Sequence, residues 1–81
     1  MAAKKKYKMH KYAILECEDG TLIRLNSIES YYFKNSRSES PAVMIQTNSG
    51  AIHTLQKVEN EEEARIILDS CIDMWALWYR E

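Results

Sequence analysis

At 81 residues, the chain is long enough for one small domain, whose core gains from docking onto a neighbour. The net charge of −1 hides an asymmetry: Lys4, Lys5, Lys6, Lys8 and Lys11 stand without an acid among the first 11 residues, which leaves six Lys or Arg against twelve acids in the remainder. A basic arm on an acidic body excludes a fold that grips nucleic acid with a whole face, although the arm alone can touch phosphate.

Residues 1–10 read as a flexible basic arm, and residues 11–81 as a single α+β domain. A first strand is predicted over residues 11–18, with Ala13, Leu15 and Cys17 on one face. Asp19-Gly20 marks a turn. A two-residue turn would set Leu15 opposite Arg24, whereas a three-residue loop with a left-handed Gly20 sets Leu15 opposite Ile23 and Ala13 opposite Leu25. The side chains favour the second. Asn26-Ser27 breaks the chain before a third strand over residues 28–33, where Tyr31, Tyr32 and Phe33 follow one another. Three consecutive aromatics cannot all enter one small core, so one face is expected to meet another subunit or to offer an aromatic site.

Residues 34–41 form a polar loop with the only proline. Strands are predicted over residues 42–47 and 51–58, joined at Asn48-Ser49-Gly50. A four-residue loop would pair Ile45 with Ile52 and Val43 with Thr54, and a three-residue loop would pair Ile45 with His53 and Val43 with Leu55. Patterning leaves both open. The helix begins at Asn60, which can cap it, with Glu63 placed to close a capping box and Glu61 and Glu62 in the favourable first turn. Ala64, Leu68, Cys71, Trp75 and Trp78, with Ile67 and Met74 beside them, form a broad apolar stripe. Arg65 and Asp69 are spaced as an i,i+4 pair. After Cys71 nearly every residue is apolar, more than one small sheet can cover, which predicts a second partner. The fold expected is thus a small antiparallel sheet of four or five strands packed against one C-terminal helix.

Chemistry-bearing patterns are sparse. His10 and His53 have no ligand-spaced companions, so no metal is expected, and the only two glycines both sit in turns, so no phosphate loop is expected. Cys17 with His53 is the only nucleophile and base pair to be drawn, and nothing in the sequence places them together. The acids at Glu59, Glu61, Glu62 and Glu63 are explained as helix-start charges. No enzyme activity and no cofactor are expected. Two cysteines without metal spacing read as buried thiols in a reducing compartment. No apolar run approaches a membrane span, and only the short segment 12–15 follows the basic residues, so a cytoplasmic protein is expected.

Three binding modes follow. A protein interface is expected at Trp75, Trp78, Tyr79, Ile72, Tyr31 and Phe33, joining copies of the chain or a protein partner. Single-stranded nucleic acid would use Lys4, Lys5, Lys6, Lys8 and Lys11 with Tyr32 as a stacking platform. A small ligand held between subunits would use His53, Arg24 or Arg37.

The run Leu25-Asn26-Ser27-Ile28-Glu29-Ser30, then Ala-Val-Met-Ile-Gln-Thr-Asn-Ser-Gly-Ala-Ile-His-Thr-Leu at 42–55 and Glu-Glu-Glu-Ala-Arg-Ile-Ile-Leu at 61–68, resembles the small bacterial flagellar proteins of the FlbD and SwrD type. The resemblance implies two hairpins, an Asn-Gly-like turn and an acidic-start helix, a role in flagellar operation and no catalytic residues. Ser49 inside the turn, the long loop at 34–41 and the helix ending Met74-Trp75-Ala76-Leu77-Trp78-Tyr79 depart from that pattern. An accessory or regulatory protein of a bacterium or phage is the role implied.

Overall fold

The computed structural model describes residues 6–11, 13–35 and 37–78, with the backbone alone for 75–78. Its architecture is α+β, with two three-stranded antiparallel sheets and one helix, where patterning predicted a single sheet of four or five strands. The first sheet comprises β1 (Lys8–His10), β2 (Ile14–Glu16) and β3 (Leu22–Arg24), and the second β4 (Ile28–Lys34), β5 (Ala42–Thr47) and β6 (Ile52–Lys57). Each sheet is a meander in chain order.

Two local features divide what patterning joined. The first is a single 3-10 turn, Leu25–Ser27, closed by the Ser27 hydroxyl donating to the Arg24 carbonyl at 2.8 Å. It redirects the chain after β3, so β4 pairs with β5 and not with β3. The second is Ala13, whose φ of 59° is left-handed and folds β1 back onto β2. The strand predicted over residues 11–18 is therefore shorter, and part of the expected arm becomes a strand. Tyr7 is buried at 3% exposure, and its hydroxyl donates to Ser70 Oγ at 3.0 Å, so residues 7–10 belong to the body rather than to a flexible arm. Burial holds the Tyr7 phenol above its ordinary pKa.

The first register agrees with the sequence argument: Leu15 stands opposite Ile23, and the Leu25 amide donates to the Ala13 carbonyl. The second hairpin takes the three-residue alternative near its turn, with Ile45 opposite His53. It departs one step on, because Met44 faces Thr54 while Val43 faces Gln56. Leu55 is thus the extra residue of a β-bulge, and both Leu55 and Gln56 turn inward, at 0% and 1% exposure. The bulge also frees the Leu55 carbonyl to accept from the Glu18 amide at 2.8 Å, which ties the first sheet to the second. Gln56 Oε1 accepts from the Lys6 amide at 2.8 Å, so this buried amide side chain is also partnered.

The helix, α1 (Glu61–Trp78), starts as expected, with Asn60 Oδ1 accepting from the Glu63 amide at 2.9 Å. Arg65 pairs with Glu61 at 3.7 Å, and not with Asp69; both partners are exposed, so the pair adds little. Ala64, Ile67 and Cys71 face inward and are covered by β4 and β5. They complete one core with Leu15 and Ile23 of the first sheet, Leu25 of the 3-10 turn and Ile28, Val43, Ile45 and Leu55 of the second sheet. Burying each large aliphatic contributes about 1.5–3 kcal/mol. Among the described residues no helix is long and apolar enough to cross a membrane.

Candidate ligand groove

Between the two sheets, β3 and its 3-10 turn face the turn of the β5–β6 hairpin across an open groove of about 370 Å³. Leu22, Ile23, Arg24 and Ser27 line one side, and Thr47, Asn48, Ser49, Ala51 and His53 the other. The chain reaches this arrangement through two hydrogen-bonded turns of the same kind. In the first, Gly20 (φ 94°) donates to the Cys17 carbonyl and the Cys17 amide to the Thr21 carbonyl. In the second, Gly50 (φ 89°) donates to the Thr47 carbonyl and the Thr47 amide to the Ala51 carbonyl. Left-handed backbone at the last loop position is what makes glycine the suitable residue there. A bond from the Asn48 amide to the Ser27 carbonyl, 2.8 Å, holds the two sides of the groove together.

Two of the three residues expected to meet a small ligand, Arg24 and His53, thus converge on one site. Arg37 does not; it lies exposed on the loop at 34–41. Arg24 is exposed and His53 half-buried, and neither side chain has a hydrogen bond or ion pair with a described residue. The hydroxyls of Thr47 and Ser49 are 2.9 Å apart and bonded to each other. Asp19 lies in the first of these turns, outside the groove lining. Its own pKa is held below the ordinary range, first by the Thr21 amide, which donates to Oδ1 at 2.9 Å, and least by His53. Ser27, Thr47, Asn48 and Ser49 were not singled out from the sequence. The signal that could have found them is the repeated pattern Asp-Gly-Thr-Leu-Ile-Arg at 19–24 and Ser-Gly-Ala-Ile-His-Thr at 49–54.

The other candidates fall elsewhere. Tyr31 and Phe33 stand opposite Ile45 and Val43 and pack half-buried against the core, whereas Tyr32 stands opposite Met44 on the outer face of the second sheet. Ile72 is 50% exposed. The side chains of Trp75 and Trp78, and Tyr79 as a whole, lie outside the described residues, as do Lys4 and Lys5. Lys6 is paired with Glu18 at 3.5 Å, while Lys8 and Lys11 are exposed at the first sheet. The outer face of the second sheet instead gathers Lys34 and Lys57 near Tyr32, and Lys34 is engaged by Glu39 at 2.9 Å. Cys17 is buried, and burial followed by the charges of Asp19 and Glu16 pushes its thiol up to about 11, which keeps it protonated and unreactive at neutral pH. Cys71 is also a free, buried thiol. Among the described residues no group of three or more His, Cys, Asp or Glu could hold a metal ion.

No protein-family model, curated protein or solved structure matches this chain.

Proposed function

We propose that the protein is a non-enzymatic accessory or regulatory factor that acts by binding protein, as a homo-oligomer joined through α1. The observation that carries this reading is the distribution of isoleucines on the helix. Ile67, at 3% exposure, belongs to the stripe already covered by the sheets, yet Ile66 and Ile72 stand outside that stripe at 40% and 50% exposure. The sequence beyond Ile72 adds Trp75, Leu77 and Trp78 to the same helix, followed by Tyr79, more apolar surface than one sheet covers. Desolvating aromatic and aliphatic anchors against a second helix is the usual source of affinity at such a surface. Tyr31 and Phe33, half-buried between the sheet and the core, would support the interface from beneath rather than form it. A cytoplasmic, bacterial or phage setting, as the flagellar resemblance implies, accords with two cysteines kept as buried thiols.

Light scattering of the full-length protein tests this reading. The expected result is a discrete oligomer that dissociates into folded monomers when Trp75 and Trp78 are both changed to Ser, and shifts the same way in Ile72→Asp. A monomeric wild-type protein would remove the homo-oligomer from the reading.

A further inference from the structure

The groove between the two glycine turns has properties that neither the core nor a protein interface requires. Its position in the fold is the first. The β2–β3 and β5–β6 hairpins are equivalent in turn and register, Leu15 facing Ile23 in one and Ile45 facing His53 in the other. The inward positions of the first are Cys17 and Ile23, at 1% and 5% exposure. At the matching positions the second carries Thr47 and His53, and both line the groove. Polar residues thus stand at the two inward positions where the cavity opens, while Ile45 and Leu55 remain fully buried.

Charge is the second property. Among the described residues the groove lining has no carboxylate, and its ionisable members are Arg24 and His53, from different sheets, both without a described partner. The remaining polar lining is hydroxyl and amide: Ser27, Thr47, Ser49 and Asn48. A chain with net charge −1 therefore holds a locally cationic, donor-rich recess. The third property is an aliphatic wall. Leu22, 61% exposed, and Ala51 line the groove from its two sides.

The cleft on the outer face of the second sheet offers less. Its lining of Lys34, Lys57, Ser38, Ser40 and Thr54 includes Glu39, which already takes the Lys34 ammonium. A cation so engaged is not available to a second anion without losing the first.

We propose that the groove binds a small organic phosphomonoester. The Arg24 fork and a ring N–H of His53 take the phosphoryl oxygens, the exposed Ser49 hydroxyl turns from Thr47 to donate to them, and Leu22 and Ala51 cover the organic part. A guanidinium matches two phosphoryl oxygens at once, whereas a lysine offers only a point charge. A volume of about 370 Å³ lies at the small end of small-molecule sites, which suits one phosphate and a compact organic body. This site is separate from the helix surface proposed to join subunits, since no described residue of α1 lines it.

The test is a titration of the isotope-labelled full-length protein followed by amide chemical shifts, with inorganic phosphate, adenosine 5′-monophosphate and uncharged adenosine as separate probes. The monophosphate should shift the amides of Arg24, Ser49, Ala51 and His53, phosphate should shift the same set more weakly, and adenosine should leave them unmoved. Arg24→Gln, at an exposed side chain with no partner to lose, should keep the spectrum folded and weaken both anions roughly tenfold or more. Leu22→Ala should weaken the monophosphate and not inorganic phosphate, which separates the organic contact from the anion contact. Absence of groove shifts with either anion would overturn the proposal. So would shifts that Arg24→Gln leaves unchanged, or that map to the lysine-rich residues 4–11.

Discussion

The β2–β3 and β5–β6 hairpins make the most instructive comparison in this molecule. Gly20 and Gly50, thirty positions apart, take the same left-handed conformation in turns with the same hydrogen bonds, and the strands leave those turns in the same register. What differs is the inward chemistry: cysteine and isoleucine in the first, threonine and histidine in the second. The inward residues of the first hairpin serve packing, while its Leu22 and Arg24 line the groove. The second carries similar packing with Val43, Ile45 and Leu55 and uses Thr47 and His53 to face the groove. Backbone geometry is thus shared by turn chemistry, while the site arises from side chains that the geometry does not dictate.

If the shared part is packing, truncating its central pair should be equally damaging on both sides. Leu15→Ala and Ile45→Ala, each at a fully buried position, should each cost about 2–5 kcal/mol in denaturant unfolding. A cost at only one of the two would show that the hairpins are not energetically equivalent. Exchanging the inward residues sharpens the contrast. Ile23→His buries an imidazole in an apolar position and should cost about 1–3 kcal/mol, whereas His53→Ile should raise stability by up to about 1 kcal/mol. The same His53→Ile change should abolish phosphate-induced shifts in the groove. A stabilised variant with unchanged shifts would show that the polar positions are not there for a ligand.

A pH difference follows at Cys17, which sits where the second hairpin has Thr47. Its thiol titrates near 11 in the folded chain against 9.0 ordinarily. Between these values the unfolded chain has already lost its proton while the folded chain keeps it, so stability is fully present below about pH 9 and falls as pH rises through 11. The loss should approach about 3 kcal/mol. Cys17→Ala should flatten most of that fall, leaving the smaller part that Tyr7 contributes in the same direction. An unaltered alkaline slope in the variant would assign the effect elsewhere.

The smallest expected effects concern the turns. An added Cβ meets nothing within 4 Å at either glycine, so Gly20→Ala and Gly50→Ala should cost only the backbone term, about 1–2 kcal/mol each, and by the same amount. Ala13 already bears such a term at φ 59°, and Ala13→Gly should return up to about 1 kcal/mol of stability. Unequal costs at the two glycines, measured by thermal or chemical unfolding, would break the equivalence of the turns.

The sequence made local features legible and concealed the ones that depend on distant partners. Asn60 announces its helix and Gly20 its turn, because cap and turn are satisfied within a few residues. Leu15 and Ile23 fix the first register, because only one alignment keeps both inside. The bulge at Leu55 could not be read, since its purpose is to offer a carbonyl to Glu18 and an amide side chain to the backbone of Lys6. The division into two sheets was hidden for a related reason: β1 has one inward residue, Met9, and its fold-back uses an alanine where a glycine would have signalled it. Arg24 and His53 were each visible as candidate ligand contacts. Their meeting was not, because it requires two hairpins to be docked across the Asn48 to Ser27 bond.

The bond from Tyr7 to Ser70 spans 63 residues and sets an order of events during synthesis. A ribosome delivers Tyr7 first, yet the helix that closes over it comes only after both meanders have been made. Until then the tyrosine has no seat, and the edge of β1 beside it waits as an unfinished strand. Closing so long a loop adds only slowly to the entropic cost as length grows, but it delays the step that seals the core. Amino-terminal tags or deletions that reach Tyr7 therefore act on the far end of the domain, at the moment α1 docks.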